Sequence, residues 1–357
     1  MIRFRIDNKE YEAAEGSTIH DVASEAGMNI PVLCHTKGVP HYSSCMVCMV
    51  RDKRNGRFIP SCSAPAQEGM DIDASGPEVI AIRRRAIELL LSEHRAECEA
   101  PCRIVCPAGY NIPVMNRHIA ARDFDSAVKL VAGETASSPL NCISCTAYCE
   151  NACRRKKVDT PVSIRNIRLH IYGEILGRDT NAPEESVKPA KPNRRFSSKT
   201  GKLEASEFEQ WLKECTKYLP REREISSIEK AYHETQSCMH CDCRSLDTCK
   251  LRELAGLMQV KDTGEKKIVN SPIMKKINPN TGMIFENAKC IKCGLCVRVC
   301  NDSNDEQSLC FINRGFVSII SEPLTAAFDD ILKSQAGKAI GICPTGALGW
   351  FNGKIDS

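Results

Sequence analysis

The stretch KCIKCGLCVRVC, residues 289–300, places Cys290, Cys293, Cys296 and Cys300 in one short run. Three thiolates two residues apart can wrap one face of an iron–sulfur cube, and tight spacing lets a single loop present them without a costly loop closure. Sulfur donors suit such clusters. Zinc is the rival for these residues, but it more often takes two separated CxxC pairs than a CxxCxxCxxxC run. The run marks a chain through which electrons pass.

Cysteine dominates the composition, with 22 in 357 residues. A disulfide scaffold uses that many thiols only in short exported chains, and the opening MIRFRIDNKEYEAAEG has no apolar signal core. Reduced, metal-bound thiols in the cytoplasm are the expectation. No apolar run approaches the length of a membrane span, and the mean hydropathy is −0.30. The formal charge of +4 is small, and the basic residues are not interleaved with aromatics, which argues against nucleic-acid binding.

Residues 1–75 read as short strands and turns: IRFRID, EYEAAE, a helical TIHDVASEAG, then CMVCMVRD and RFIPSC around an Asn55-Gly56 hairpin signal, and MDIDA. That order predicts a β-grasp domain. A helix follows, started by Ser75 and Pro77, with Val79, Ile82, Ala86, Leu89 and Leu90 as its apolar face. It opens a helical cysteine-rich domain, residues 76–178, containing the amphipathic DFDSAVKLVAG and PVSIRNIRLHIYGEIL. Residues 179–202 are proline-rich and poorly apolar, a linker or a solvated loop. Residues 203–257 add helical stretches near 205–218 and 224–236 and a further cysteine group.

Cys34, Cys45, Cys48 and Cys62 form three loop ligands plus one distant one, as a [2Fe–2S] site in a β-grasp fold requires. Ten residues separate the first two, where the plant-type spacing has four. With its context PVLCHTKGVPHYSSCMVCMV, this gap resembles the N-terminal domain of the large iron–sulfur subunit of NADH dehydrogenase and of the iron-only hydrogenases. The resemblance continues into IELLLSEHRAEC, where it implies that His94, four residues before Cys98, is a ligand to a [4Fe–4S] cluster. Read from the residues alone, a lone His is as readily a surface or capping residue.

Beyond Cys98 the pattern departs. CEAPCRIVCPAGYNIPVM supplies Cys98, Cys102 and Cys106, and CISCTAYCENACRR supplies Cys142, Cys145, Cys149 and Cys153. These runs resemble the bis-[4Fe–4S] domain of the glutamate synthase small subunit and of dihydropyrimidine dehydrogenase, in which the two cysteine groups interleave across both clusters. Seven cysteines leave one ligand missing, and His94 is the nearest candidate. CMHCDCRSLDTCKL then supplies Cys238, Cys241, Cys243 and Cys249, with the five-residue gap of the histidine-cluster motif at its end. Either the bis-cluster domain is inserted into that motif, so that His94 joins some of these later cysteines, or the four make their own cube. Zinc remains the rival there. Both arrangements supply enough ligands for three cubes.

Residues 258–357 resemble a small α+β ferredoxin-like unit, and the first family returns there at GICPTGAL around Cys343. In two-cluster ferredoxins the fourth cysteine of each run ligates the other cluster. Reading back from Cys343, the expected second run falls on Ala339, Ala336 and Lys333, so that cube has lost its ligands. One cube remains, on Cys290, Cys293, Cys296 and Cys343. Cys300 is left over with Cys310 and Cys215, and Ala336, Ala339 and Ile342 are expected to fill the vacated pocket.

The cofactors expected are therefore one [2Fe–2S] and about four [4Fe–4S] clusters. No GxGxxG follows a strand and no Walker-type loop appears, so the dinucleotide and flavin are expected elsewhere. Conversion of hydride to single electrons needs a flavin, which implies a flavoprotein partner, NADH-oxidising or glutamate-synthase-like, and a further redox subunit. The leading expectation is an electron-transfer subunit of a cytoplasmic NAD(P)-linked oxidoreductase of hydrogenase, formate dehydrogenase or electron-bifurcating type. An iron–sulfur scaffold or carrier is the alternative; it needs exposed, labile sites, whereas proline and bulky apolar residues surround these cysteines. A self-contained reductase is disfavoured by the missing nucleotide site.

Overall fold

A computed structural model describes residues 1–94, 97–136, 142–177, 205–215, 223–260, 272–300 and 307–351; the predicted linker 179–202 lies outside them. The chain begins with β1 (Ile2–Ile6) and β2 (Lys9–Ala13), an antiparallel pair closed by Asp7 and Asn8, both at positive φ (49° and 67°). Two left-handed residues make a turn whose twist matches that of the strands. Next come α1 (Ile19–Glu25), β3 (Met49–Asp52), β4 (Arg57–Pro60) and β5 (Asp71–Asp73). The sheet order is β2-β1-β5-β3-β4, with β1 and β5 parallel, the expected β-grasp arrangement. A capping box fixes the start of α1: Asp21 N–H donates to Thr18 Oγ1 and Thr18 N–H to the Asp21 carboxylate. Phe4, Ile6, Ile19, Val22, Val50 and Ile72 bury between helix and sheet.

The helix α2 (Pro77–Glu93) starts with proline at its first turn, while the Asp73 carboxylate accepts from Gly76 N–H at 2.6 Å. Its buried face is Val79, Arg83, Ala86 and Ile87, rotated from the expected one; Leu89 is 51% exposed. The rotation follows from Arg83, whose Nε donates to the Met49 carbonyl at 2.8 Å and ties the helix to β3.

The helical part comprises α3 (Pro101–Ile104), α4 (Ile112–Ala120), α5 (Phe124–Ala136), α6 (Tyr148–Asn151), α7 (Ile164–Gly177), α8 (Ala205–Trp211), α9 (Ile228–Thr235) and α10 (Lys250–Leu257). Met115, Ile119, Val131, Ile167, Ile171 and Ala231 bring α4, α5, α7 and α9 into one core. Arg168 is buried there because Glu134 pairs with it at 2.8 Å and the Tyr110 ring lies 3.5 Å from its guanidinium. Although close in sequence, α9 and α10 part company: α10 packs on α2.

The C-terminal part has β6 (Lys275–Ile277), β7 (Met283–Glu286), α11 (Leu295–Val299), β8 (Cys310–Ile312), β9 (Ile319–Ser321), α12 (Ala336–Ile342) and β10 (Leu348–Trp350). Its sheet runs β10-β7-β6, with β8 and β9 as a separate hairpin. The helices α11 and α12 pack together. Among the described residues no helix is long and apolar enough to cross a membrane.

Candidate electron-transfer centres

The first thiol group lies on the loop between α1 and β3 and just after β4. Cys34, Cys45, Cys48 and Cys62 are all buried, and Cys48 Sγ stands 3.0 Å from Cys62 Sγ. They share protons. Hydrogen bonds from Cys45 and Cys62 hold the Cys34 thiol well below its ordinary range, and sharing with Cys34 pushes both of those thiols up. Cys62 lowers Cys48 to about 7. Three histidines that sequence reasoning passed over sit beside this group: the His20 and His35 rings are 5.4 Å apart, and His35 Nδ1 is 3.3 Å from His41 Nδ1.

The second group joins Cys290, Cys293 and Cys296 to Cys343. Burial, with these neighbours, pushes Cys290 to about 12, Cys293 to about 11 and Cys296 well up. Cys343 acts on all three of them. Cys300 is 1% exposed and lies in the apolar core with Ala336, Ala339 and Leu332. Ile342, expected in the same pocket, instead packs toward Cys293 and Leu295. The reason is its place at the end of α12, immediately before the turn that carries Cys343 to the ligand group.

Cys215 aside, the eleven thiols from Cys98 to Cys249 divide in a way that spacing does not reveal. Cys98 is pushed to about 12 by burial and then by Cys243 and Cys249, and its carbonyl accepts from Cys243 N–H at 3.0 Å. His94 caps the C-terminus of α2. Cys102 is pushed well up by burial, with Cys153, Cys238 and Cys241 as its nearest charge neighbours. These four line one pocket with Asn116 and Arg154. Cys142 (pushed to about 11) and Cys149 are raised by burial and by Cys106, with Cys145 also acting on Cys142. The four residues 238–249 therefore do not gather on their own. Cys238 and Cys241 face Cys102 and Cys153, while Cys243 and Cys249 face Cys98.

Ion pairs on the spacer residues hold that division. Arg117 from α4 grips Asp242 with both Nη atoms, at 2.5 and 2.7 Å, and Arg244 pairs with buried Glu214, which also takes Lys275. Gly346 lets the Cys343 turn approach: a Cβ there would lie 2.2 Å from Cys243 Sγ. The ligand loops also share a backbone feature. Met46, Ala147, His240 and Lys292 have φ of 55°, 56°, 43° and 55°. Non-glycine residues rarely adopt this region, and here each such residue lies between two cysteines of one loop.

Among the described residues no three His, Cys, Asp or Glu side chains stand in single-ion geometry; these groups are wider neighbourhoods of thiols. Their donor chemistry fits iron–sulfur clusters. A thiol raised by burial is neutral on its own, and a cationic iron centre would hold it as thiolate, displacing its proton. Donors already face the sulfurs: Lys292 N–H to Cys290 Sγ at 3.3 Å, Arg252 N–H to Cys249 Sγ at 3.5 Å, and Asn116 Nδ2 to Cys238 Sγ at 3.5 Å. Such bonds stabilise added negative charge.

Fold and thiol groups together define a chain of iron–sulfur domains. Residues 1–76 match a 2Fe-2S iron–sulfur cluster binding domain, residues 91–178 match dihydropyrimidine dehydrogenase domain II with its 4Fe-4S cluster, and residues 283–349 match the ferredoxin-like domain of NADH-quinone oxidoreductase subunit 3. The chain is 32% identical over 119 residues to the gamma subunit of the NAD-reducing hydrogenase HoxS of Cupriavidus necator, covering 32% of this chain and 50% of that one. It is 36% identical over 97 residues to the putative formate dehydrogenase YrhE of Bacillus subtilis, covering 27% and 10%. The chain thus spans half or less of these relatives. A solved NAD+-reducing [NiFe]-hydrogenase shares the fold at a TM-score of 0.51 and 16% identity, over 100% of this chain and 90% of that one.

Proposed function

We propose that this chain is an electron-transfer subunit of a cytoplasmic, multi-subunit NAD(P)-linked oxidoreductase of hydrogenase, formate dehydrogenase or electron-bifurcating type. It relays single electrons between a flavoprotein partner and another redox subunit. Cys34, Cys45, Cys48 and Cys62 would hold a [2Fe–2S] cluster. Four [4Fe–4S] clusters would sit on Cys290, Cys293, Cys296 and Cys343; on His94, Cys98, Cys243 and Cys249; on Cys102, Cys153, Cys238 and Cys241; and on Cys106, Cys142, Cys145 and Cys149. When bound, such clusters supply one-electron transfer.

The observation that carries this reading is that the thiol groups adjoin in single file. Cys34 acts on Cys293, Cys343 on Cys249, and Cys243 follows Cys241 by two residues. Cys102 and Cys106, like Cys149 and Cys153, then sit on the last two groups. A scaffold that delivers clusters needs accessible ligands. Here every thiol of the Cys34 group is buried, as are Cys98, Cys243, Cys249, Cys293 and Cys296, while the thiols of the last two groups are half-buried.

The test is reduction of the anaerobically purified chain. Dithionite is expected to bleach its visible absorbance while NADH alone does not, and NADH should bleach it once the flavoprotein subunit of its native complex is added. Direct oxidation of NADH by the isolated chain would contradict the assignment of hydride chemistry to a partner.

A further inference from the structure

Arg298 lies on α11 and is 6% exposed, yet it belongs to neither ligand set. Its Nη2 donates to the carbonyl of Cys34 at 2.9 Å and its Nη1 to the carbonyl of Cys293 at 3.1 Å. One guanidinium thus holds the ligand loops of two thiol groups, and its longer reach crosses 264 residues of sequence. The Tyr42 ring covers it, 5.4 Å from centroid to Cζ. No described carboxylate forms an ion pair with it, and its Nε has no hydrogen-bond partner. Gly294 makes the space: a Cβ there would stand 2.9 Å from Arg298 Nη1 and 3.0 Å from the Phe311 ring.

We propose that Arg298 is a positioning residue that bridges the Cys34 and Cys293 ligand loops and, as a fixed cation, holds both of their redox centres at raised potential. The proposal rests on the reading of these two groups as cluster sites. Reduction adds negative charge to a thiolate-ligated cluster, and a nearby buried cation favours the reduced form. The planar fork of arginine suits this place because two donors fixed in one plane can hold two carbonyls at once.

The test is an EPR-monitored redox titration of the full chain, as wild type, Arg298→Gln and Arg298→Lys, with iron and sulfide content measured alongside. The expected result is a shift of both the [2Fe–2S] and the C-terminal [4Fe–4S] midpoints to more negative potential in Arg298→Gln. Arg298→Lys, which keeps the charge, should restore most of that shift. A role in packing alone would leave the potentials unmoved. If Arg298→Gln loses a cluster, Gly294→Ala serves instead: it keeps the charge but crowds the guanidinium from between the carbonyls, and both midpoints should again fall. Both signals present with unchanged potentials, or a shift confined to one of them, overturns the bridge. A wild-type chain lacking either signal overturns the cluster reading itself.

Discussion

Cys343→Ser is expected to remove the C-terminal [4Fe–4S] signal and about four irons per chain, while Cys300→Ser leaves both in place. Motif spacing alone ranks these residues the other way, because Cys300 completes the run that begins at Cys290. Cys343 acts on Cys290, Cys293 and Cys296, while Cys300 acts on Cys296 and packs with Ala336, Ala339 and Leu332 in the core that adjoins them. A serine hydroxyl there meets an apolar core, so Cys300→Ser should cost stability, about 1–3 kcal/mol, without touching iron content. Iron analysis with EPR of each variant and thermal denaturation of Cys300→Ser separates the two. Loss of the cluster on Cys300→Ser alone would mean that the run closes on itself.

The second expectation divides two cysteines separated by one residue. Cys243→Ser should abolish the centre assigned to His94, Cys98, Cys243 and Cys249 and spare the one on Cys102, Cys153, Cys238 and Cys241; Cys241→Ser should do the converse. Each change again costs about four irons, and the surviving set of EPR signals should differ between the variants. If both substitutions erase the same signal, the residues 238–249 form one cube of their own, and the Asp242–Arg117 and Arg244–Glu214 pairs have only a structural part.

Much of the N-terminal domain was legible because its information is local: the short strand segments, the Asn55-Gly56 turn signal and the proline at the start of α2 each act within a few residues. The grouping of Cys34, Cys45, Cys48 and Cys62 follows from spacing, whereas placing Cys343 with the 290–296 run needs the crossed ligand pattern of two-cluster ferredoxins. The division of the middle thiols follows from neither. Which distant sulfur meets Cys243 depends on Cys98 arriving beyond the end of α2 and on buried ion pairs from α4 and Glu214, none of which leaves a mark in the spacing of CMHCDC. The same holds for the α2 face, where a hydrogen bond from Arg83 outweighs the apolar periodicity that favoured Leu89. The bridging role of Arg298 was equally hidden, since its second carbonyl belongs to the other end of the chain.

The most direct test of the central claim is the iron and acid-labile sulfide content of the anaerobically purified full chain. One [2Fe–2S] and four [4Fe–4S] clusters predict about 18 irons per chain, with matching sulfide and no stoichiometric zinc. Iron sufficient for only two or three clusters, or zinc at one per chain, would contradict the single file of five centres.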